Sequence, residues 1–186
     1  MERERVVFRK GEKIYLRPVA KEDIDRFLIC INDEEITANM LVRHPVSREE
    51  EEAWYNKTVS DSSQNITLAV VELSTDSLVG VVSINKIDHI NRTATAGIWV
   101  RKEFWRNGYA AEAGEILLKY AIGTLNLRKI STSVLARNLG SIKLHERLGF
   151  EREAVLEKQH YRDGEYIDEI VFKMFREKYL SKKKER

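Results

Sequence analysis

The sequence predicts a single α/β domain, in which helices flank a mixed central β-sheet of about seven strands. The chain has 186 residues, enough for one domain with a sizeable core. Hydrophobic residues make up 42% of it, an ordinary share for a globular protein. Apolar patterns with the two-residue period of strands alternate with patterns that have the 3.6-residue period of helices. This alternation, without an internal repeat or a linker, predicts strands and helices packed in layers.

Strand and helix signals follow one another along the first half of the chain. Strands are expected where apolar and β-branched residues cluster between turn residues, at residues 13–19, 66–73 and 78–87. Between the first two lies an amphipathic helix, whose apolar face contains Ile24, Phe27, Leu28 and Ile31. A second helix follows Ser47, because Ser47 and Glu50 form a capping box.

The second half of the chain predicts four further strands, at residues 94–101, 129–136, 150–161 and 166–175. Arg-Asp-Gly-Glu joins the last two strands as a hairpin turn. Two helices connect the other strands of this half. The first begins at Gly108, and the second is short, covers residues 138–148 and ends at Gly149. We expect one domain over residues 13–176. Residues 1–12 would form an N-terminal extension and residues 177–186 a basic tail.

The composition excludes several classes of protein. The 32 basic and 30 acidic residues leave a net charge of +2, which predicts no nucleic-acid partner. No apolar run is long enough to span a membrane, and the polar N-terminus is unlike a signal peptide. Cys30 is the only cysteine, which excludes an internal disulfide and favours the reducing cytoplasm. The four histidines lack zinc-site spacing, so no metal is expected.

The segment from Gly97 to Ala113 suggests a phosphate site. An apolar strand leads through a short polar loop to Gly108, after which Ala110 and Ala111 open a helix. The first turn of a helix has free N–H groups and the positive end of the helix dipole. Small residues let a ligand approach that backbone closely. The segment therefore predicts a cradle for a phosphate or pyrophosphate, although many α/β proteins use such a junction for packing alone.

A second informative segment is the short helix that begins at Asn138. At about 100° per residue, Asn138, Ser141 and His145 fall on one face of that helix. One interpretation is a capping Asn138 with a buried, hydrogen-bonded His145. The other is a cofactor site, which the preceding phosphate cradle favours.

These two segments together resemble the GNAT N-acetyltransferase superfamily. Within it, the chain is most similar to the ribosomal-protein N-terminal acetyltransferases and the bacterial spermidine acetyltransferases. The matching motifs are Ile-Tyr-Leu-Arg-Pro-Val from Ile14, Gly-Ile-Trp-Val from Gly97, Trp-Arg-Asn-Gly-Tyr-Ala-Ala-Glu-Ala from Trp105, Arg-Leu-Gly-Phe from Arg147 and Arg-Asp-Gly-Glu-Tyr from Arg162. The resemblance implies the GNAT fold and acetyl transfer from acetyl-CoA to a primary amine.

The resemblance also implies which residues bind acetyl-CoA. Backbone groups of Ile98, Trp99 and Val100 would pair with the pantetheine as an added strand does. An N–H near Val100 would stabilise the oxyanion of the tetrahedral intermediate. Asn138 would reach the pantetheine amides. The loop and helix start that would hold the pyrophosphate comprise Trp105, Arg106, Asn107, Gly108, Tyr109, Ala110 and Ala111.

The proton-transfer residues are harder to assign. His145 stands where many family members have a tyrosine that protonates the departing thiolate. An imidazolium with a pKa of about 6.5 can donate to a thiolate, so we expect His145 to be the general acid. Ser141 is the alternative. Thr95 replaces the glutamate often found on the central strand, and His160 is a candidate base.

The acceptor amine is expected to be the α-amine of a protein, a peptide or a small amino compound. Arg43 and Lys86 align with pocket acids of polyamine acetyltransferases, which argues against spermidine. An α-amine is also neutral in a far larger fraction of molecules at pH 7 than a lysine-like amine. Two alternatives remain, a polyamine acetyltransferase and a non-catalytic CoA-binding sensor or interaction module. The terminal hairpin could supply the edge of a homodimer.

Overall fold

The computed structural model describes residues 5–40, 44–60 and 63–184 of the chain. The strands in these ranges are β1 (Arg9–Lys10), β2 (Ile14–Pro18), β3 (Ile66–Glu72), β4 (Leu78–Asp88), β5 (Thr93–Val100), β6 (Lys129–Leu135), β7 (Glu151–Arg162) and β8 (Glu165–Phe175). The α-helices are α1 (Ile24–Ile31), α2 (Glu34–Thr37), α3 (Arg48–Ser60), α4 (Tyr109–Gly123), α5 (Leu139–Leu148) and α6 (Arg176–Lys184).

The strands form one mixed sheet of eight strands in the order β1-β2-β3-β4-β5-β6-β8-β7. All neighbouring pairs are antiparallel except β5 and β6, which are parallel. The seven predicted strands are all present with ends shifted by a residue or so. The eighth, β1, consists of two residues in the predicted N-terminal extension.

The parallel pair β5 and β6 diverges after a short contact. Their pairing runs only from Thr93 with Lys129 to Thr95 with Ser131. Beyond this point β6 stays paired with β8 as far as Leu135, and β5 stays paired with β4 as far as Val100. A gap therefore opens in the middle of the sheet, and the last part of β5 presents its backbone to that gap.

Helices cover both faces of the sheet. On one face, α4 buries Ala113, Leu117 and Ala121 in the larger core cluster. On the other face, Phe27 of α1 packs with Val81 of β4 in a smaller cluster. The elements around the gap are thus fixed from both sides.

Two further elements, one short and one terminal, differ from the sequence prediction. Helix α2 was not predicted, because four residues carry too little periodicity to be recognised. Part of the predicted basic tail forms α6, which buries Tyr179 and pairs Lys178 with Glu151. The capping box is confirmed, since Ser47 N–H donates to Glu50 and Glu50 N–H donates to Ser47 Oγ. None of the helices in the described ranges is both long and apolar enough to cross a membrane.

Candidate active site

A cavity of about 700 Å³ lies where β5 and β6 diverge, and we call it the large cavity. It is enclosed by the ends of β5 and α2, the loop before α4, the first turn of α4, and one face of α5 from its first turn to Arg147. It is lined by most of the predicted cofactor residues, namely Ile98, Trp99, Val100, Trp105, Arg106, Gly108, Tyr109, Ala110, Ala111 and Asn138. Asn107, the remaining member of that set, does not line it. Of the two predicted catalytic residues, Ser141 lines the large cavity and His145 does not.

The loop before α4 has the conformation that a phosphate cradle needs. Gly108 is the N-cap of α4 with φ +83°, a left-handed conformation that glycine adopts without strain. A Cβ at this position would meet no protein atom within 4 Å, so the backbone faces open space. No side chain caps the first N–H groups of α4. These donors are therefore available to an anion in the large cavity.

The end of β5 directs backbone N–H groups toward the gap. Arg101 N–H donates to Val79 O on the β4 side. Because successive residues of a strand direct their N–H and C=O groups to opposite sides, both backbone groups of Val100 face the gap. The Val100 carbonyl already accepts the Trp105 indole N–H at 2.7 Å. The Val100 N–H is the group suited to stabilise an oxyanion.

Positive charge surrounds the large cavity. Its charged lining residues are Arg106, Arg137, Lys143 and Arg147. No aspartate or glutamate of the described residues lines it. Its electrostatic potential therefore favours a polyanionic ligand.

The predicted polar face of α5 is confirmed as a connected network. Asn138 caps the helix, because its side-chain oxygen accepts Ser141 N–H at 3.0 Å. His145 Nδ1 lies 2.7 Å from the Ser141 carbonyl oxygen and 3.3 Å from Ser141 Oγ. A carbonyl can only accept, so Nδ1 carries a hydrogen. This arrangement leaves the Ser141 hydroxyl hydrogen free to point into the large cavity.

His145 lies behind Ser141 in the core and not on the cavity wall. It is 5% exposed, stacks on Phe172 and meets Phe150 edge-on. Burial lowers its pKa, so the imidazole is neutral near pH 7. His145 therefore neither reaches the large cavity nor carries the positive charge of a general acid. The structure does not support the expectation that it protonates the thiolate. Helical spacing correctly gave the face of the helix, but not the depth of the side chain.

The other residues considered for proton transfer or substrate choice also lie away from the large cavity. Thr95 Oγ1 donates to Asn85 O on the neighbouring strand. His160 is buried beside Glu169 at 2.6 Å. Lys86 is exposed and lines no described cavity, and Arg43 lies outside the described residues.

A second cavity of about 210 Å³ adjoins the first, and we call it the small cavity. The two share Ile36, Met40 and Trp99 in their walls. The rest of the small cavity is formed by Phe27, Cys30, Ile31, Glu51 and Trp54 from α1 and α3. The Phe27 ring lies edge-on to Trp54 at 5.8 Å and to Trp99 at 5.6 Å. The small cavity is thus an aromatic box that opens toward the large one.

Among the residues that the structure describes, Glu51 is the one charged group in the wall of the small cavity. It is 5% exposed, and no described residue gives its carboxylate a hydrogen bond or an ion pair. Burial raises its pKa, because a carboxylate loses hydration in this apolar setting. Sequence reasoning missed Glu51, since it stands in a run of four glutamates that resembles a solvated helix face.

The chain is similar to known acetyltransferases in both sequence and structure. Residues 13–151 match the profile of the family described as Acetyltransferase (GNAT) domain. The spermidine N(1)-acetyltransferase of Vibrio cholerae is 28% identical over 92% of this chain and 98% of its own. The putative ribosomal N-acetyltransferase YdaF of Bacillus subtilis is 35% identical over 50% of this chain and 48% of its own.

The fold agrees with these matches. The Vibrio cholerae spermidine N-acetyltransferase, solved in complex with CoA and spermine, superimposes with a TM-score of 0.85. The two chains are 26% identical, and the match covers 91% of this chain and 99% of the other. The same Vibrio cholerae enzyme has also been solved as a dodecamer.

Proposed function

The chain belongs to the acetyltransferase (GNAT) family, and we propose that its acceptor is a primary amine that carries a second, positively charged group. As a family member it is an acetyl-CoA-dependent N-acetyltransferase. The observation behind the proposed acceptor is the opposite charge of two connected cavities. Cations line the large cavity, and a buried carboxylate lies in the wall of the small one.

The large cavity is suited to acetyl-CoA. The N–H groups at the start of α4 and the Arg106 side chain would bind the pyrophosphate. The backbone of β5 would pair with the pantetheine along the gap. Asn138 and Ser141 lie at the end of this path that is nearer to the small cavity. The thioester would therefore reach the opening between the two cavities.

The small cavity is suited to an alkylammonium group. An aromatic ring attracts a cation over its face, and the attraction grows when the cation loses water. A buried carboxylate without a partner is costly to keep ionised, and a bound ammonium would offset that cost. The apolar walls would accommodate methylene groups. A diamine would thus place one ammonium beside Glu51 and its other, neutral amine at the opening.

The chemical step then depends mainly on positioning. A neutral amine held at the opening would attack the thioester carbonyl. The C–S bond would then break, the nitrogen would release one proton to water, and water would return a proton to the departing thiolate. Val100 N–H would stabilise the oxyanion, and the Ser141 hydroxyl would donate a hydrogen bond to the departing sulfur. Neutral His145 would hold Ser141 in position by donating its Nδ1 hydrogen to the Ser141 carbonyl.

An amine panel tests the acceptor class. With acetyl-CoA at pH 7.5, we expect kcat/KM for butane-1,4-diamine or spermidine to exceed that for butylamine by at least about tenfold. Release of free CoA thiol measures each rate. Equal values for diamine and monoamine would contradict a site for a second cation. A higher kcat/KM for a peptide α-amine would support the acceptor expected from the sequence. It would leave the assignment as an acetyltransferase unchanged.

Paired variants distinguish Ser141 from His145 as the group that acts on the leaving thiolate. Ser141→Ala should lower kcat about tenfold, with little change in acetyl-CoA affinity, because one hydrogen bond to the thiolate is lost. His145→Phe keeps the aromatic packing but removes Nδ1, and it should lower kcat by a similar factor. The double variant should be no worse than either single one, since His145 would act only through the position of Ser141. Steady-state kinetics and thermal melting measure these effects. If kcat fell in His145→Phe but not in Ser141→Ala, His145 would instead be identified as the acid.

We further propose that the enzyme forms homo-oligomers and works in the cytoplasm. Strand β7 ends the sheet, and residues 151–159 along it are exposed. Val155 on this strand is 50% exposed, and an open strand edge is a common site for pairing with a second chain. The cytoplasmic location rests on the single cysteine, Cys30, which is buried.

A further inference from the structure

We infer that Lys143 and Arg147 of α5 form a binding site for the 3′-phosphate of CoA and make the enzyme selective for CoA over dephospho-CoA. This inference rests on the proposed binding of acetyl-CoA in the large cavity. Both side chains line that cavity. No carboxylate among the described residues pairs with either of them.

The direction of α5 separates these two residues from the reaction centre. Arg137, just before α5, donates a hydrogen bond to the Ala38 carbonyl, which holds the start of the helix beside the segment that contributes Ile36 and Met40 to the small cavity. Asn138 and Ser141 lie at this end. A helix rises about 1.5 Å per residue, so Arg147 lies about 9 Å farther along than Ser141. Arg147 therefore faces the part of the cofactor that is farthest from its thioester, and Lys143, about 3 Å beyond Ser141 along the axis, lies one turn before Arg147 on the same face.

The helix face between them leaves room for a ligand. Gly140, Lys143, Leu144 and Arg147 recur at the spacing of one helix face and all line the large cavity. A Cβ at Gly140 would contact only Asn138 Oδ1, at 3.8 Å. The two cations on this face are four residues apart, so they are neighbours on the helix surface.

The chemistry of the cofactor matches this separation. CoA carries a pyrophosphate and, on its adenosine, a phosphomonoester with a charge of about −1.5 to −2 at pH 7. The α4 N-terminus and Arg106 already account for the pyrophosphate. Lys143 and Arg147 would remain for the phosphomonoester, where arginine can make two parallel hydrogen bonds. Dephospho-CoA lacks this one group and is otherwise the same ligand.

Three methionine variants and two ligands test the inference by titration calorimetry. Lys143→Met and Arg147→Met remove the charge and keep most of the side-chain stem. Each should weaken CoA binding about fivefold, and the double variant about 20-fold, whereas dephospho-CoA affinity should change less than about twofold. Lys182→Met is the matched control, because Lys182 donates to the Arg147 carbonyl at the same helix end but does not line the large cavity. It should leave both affinities unchanged.

Three results would overturn the inference. Equal weakening of CoA and dephospho-CoA would place the two cations at the pyrophosphate instead. Unchanged CoA affinity in the double variant would show that they bind no phosphate. Weakening of CoA binding by Lys182→Met as well would indicate a general charge effect. Because the titration needs no acceptor, these results are independent of amine specificity. If the unaltered protein bound no CoA, both this inference and the proposed cofactor site would be wrong.

Discussion

Glu51→Gln is expected to lower kcat/KM for a diamine acceptor by at least about 30-fold, because it removes the buried partner of the second ammonium. Glutamine is nearly the same size as glutamate, so the aromatic box should keep its shape. Acetyl-CoA affinity should change less than about twofold, since Glu51 does not line the large cavity. Steady-state kinetics with spermidine and calorimetry with CoA measure the two effects.

The same substitution should make the free enzyme more stable at neutral pH. The pKa of Glu51 is raised in the folded state, so the folded protein holds this proton more tightly than the unfolded chain. Stability therefore falls as the pH rises from the ordinary glutamate pKa through the raised one. At a pH above both pKa values, Glu51 is charged in the folded protein, and the buried charge then lowers the stability by its full amount. Glu51→Gln removes that cost, so its Tm should exceed that of the unaltered enzyme at pH 7.5. The difference should disappear near pH 4.

Glu52→Gln is the matched control for Glu51→Gln. Glu52 is the next residue on α3, is partly exposed and does not line the small cavity. It should change neither kcat/KM nor Tm appreciably. Unaltered diamine kinetics in Glu51→Gln would refute the role of this carboxylate. An equal loss for butylamine would show that Glu51 shapes the cavity and does not recognise charge.

Gly108→Val is expected to weaken acetyl-CoA binding roughly 100-fold, as the loss of one or two strong hydrogen bonds to a phosphate would. At φ +83° a β-branched residue is strained, so the loop should shift. Its side chain would also project into the open space in front of the α4 N-terminus. Calorimetry with acetyl-CoA measures the loss, and circular dichroism checks the fold.

Gly164→Val separates backbone strain from loss of the phosphate cradle. Gly164 also has a left-handed backbone, with φ +92°, and a Cβ at this position would meet no protein atom within 4 Å. It lies in the turn between β7 and β8 and does not line the large cavity. Its substitution should lower Tm about as much as Gly108→Val and leave acetyl-CoA affinity unchanged. A folded Gly108→Val with normal affinity would show that the pyrophosphate binds elsewhere.

Local sequence signals were enough to predict most of the fold and the loop that we propose binds the pyrophosphate. The capping box of Ser47 and Glu50 and the turn at Gly164 involve residues close together in the chain. The phosphate cradle likewise lies in one continuous stretch around Gly108. Hydrogen bonding and backbone geometry within such stretches depend on neighbouring residues, so a sequence can reveal them.

Contacts between distant segments formed the small cavity, which we propose as the acceptor site. The small cavity combines Phe27 of α1, Glu51 and Trp54 of α3 and Trp99 of β5. Nothing in a run of four glutamates marks Glu51 as the buried one, because burial depends on which helix face meets α1. Helical spacing likewise placed His145 beside Ser141 but not behind it against Phe172. The sequence by itself therefore determined the enzyme family and where acetyl-CoA should bind. Only tertiary packing decided which carboxylate lines the small cavity and which polar residue of α5 reaches the large cavity, since both depend on the depth of a side chain in the folded core.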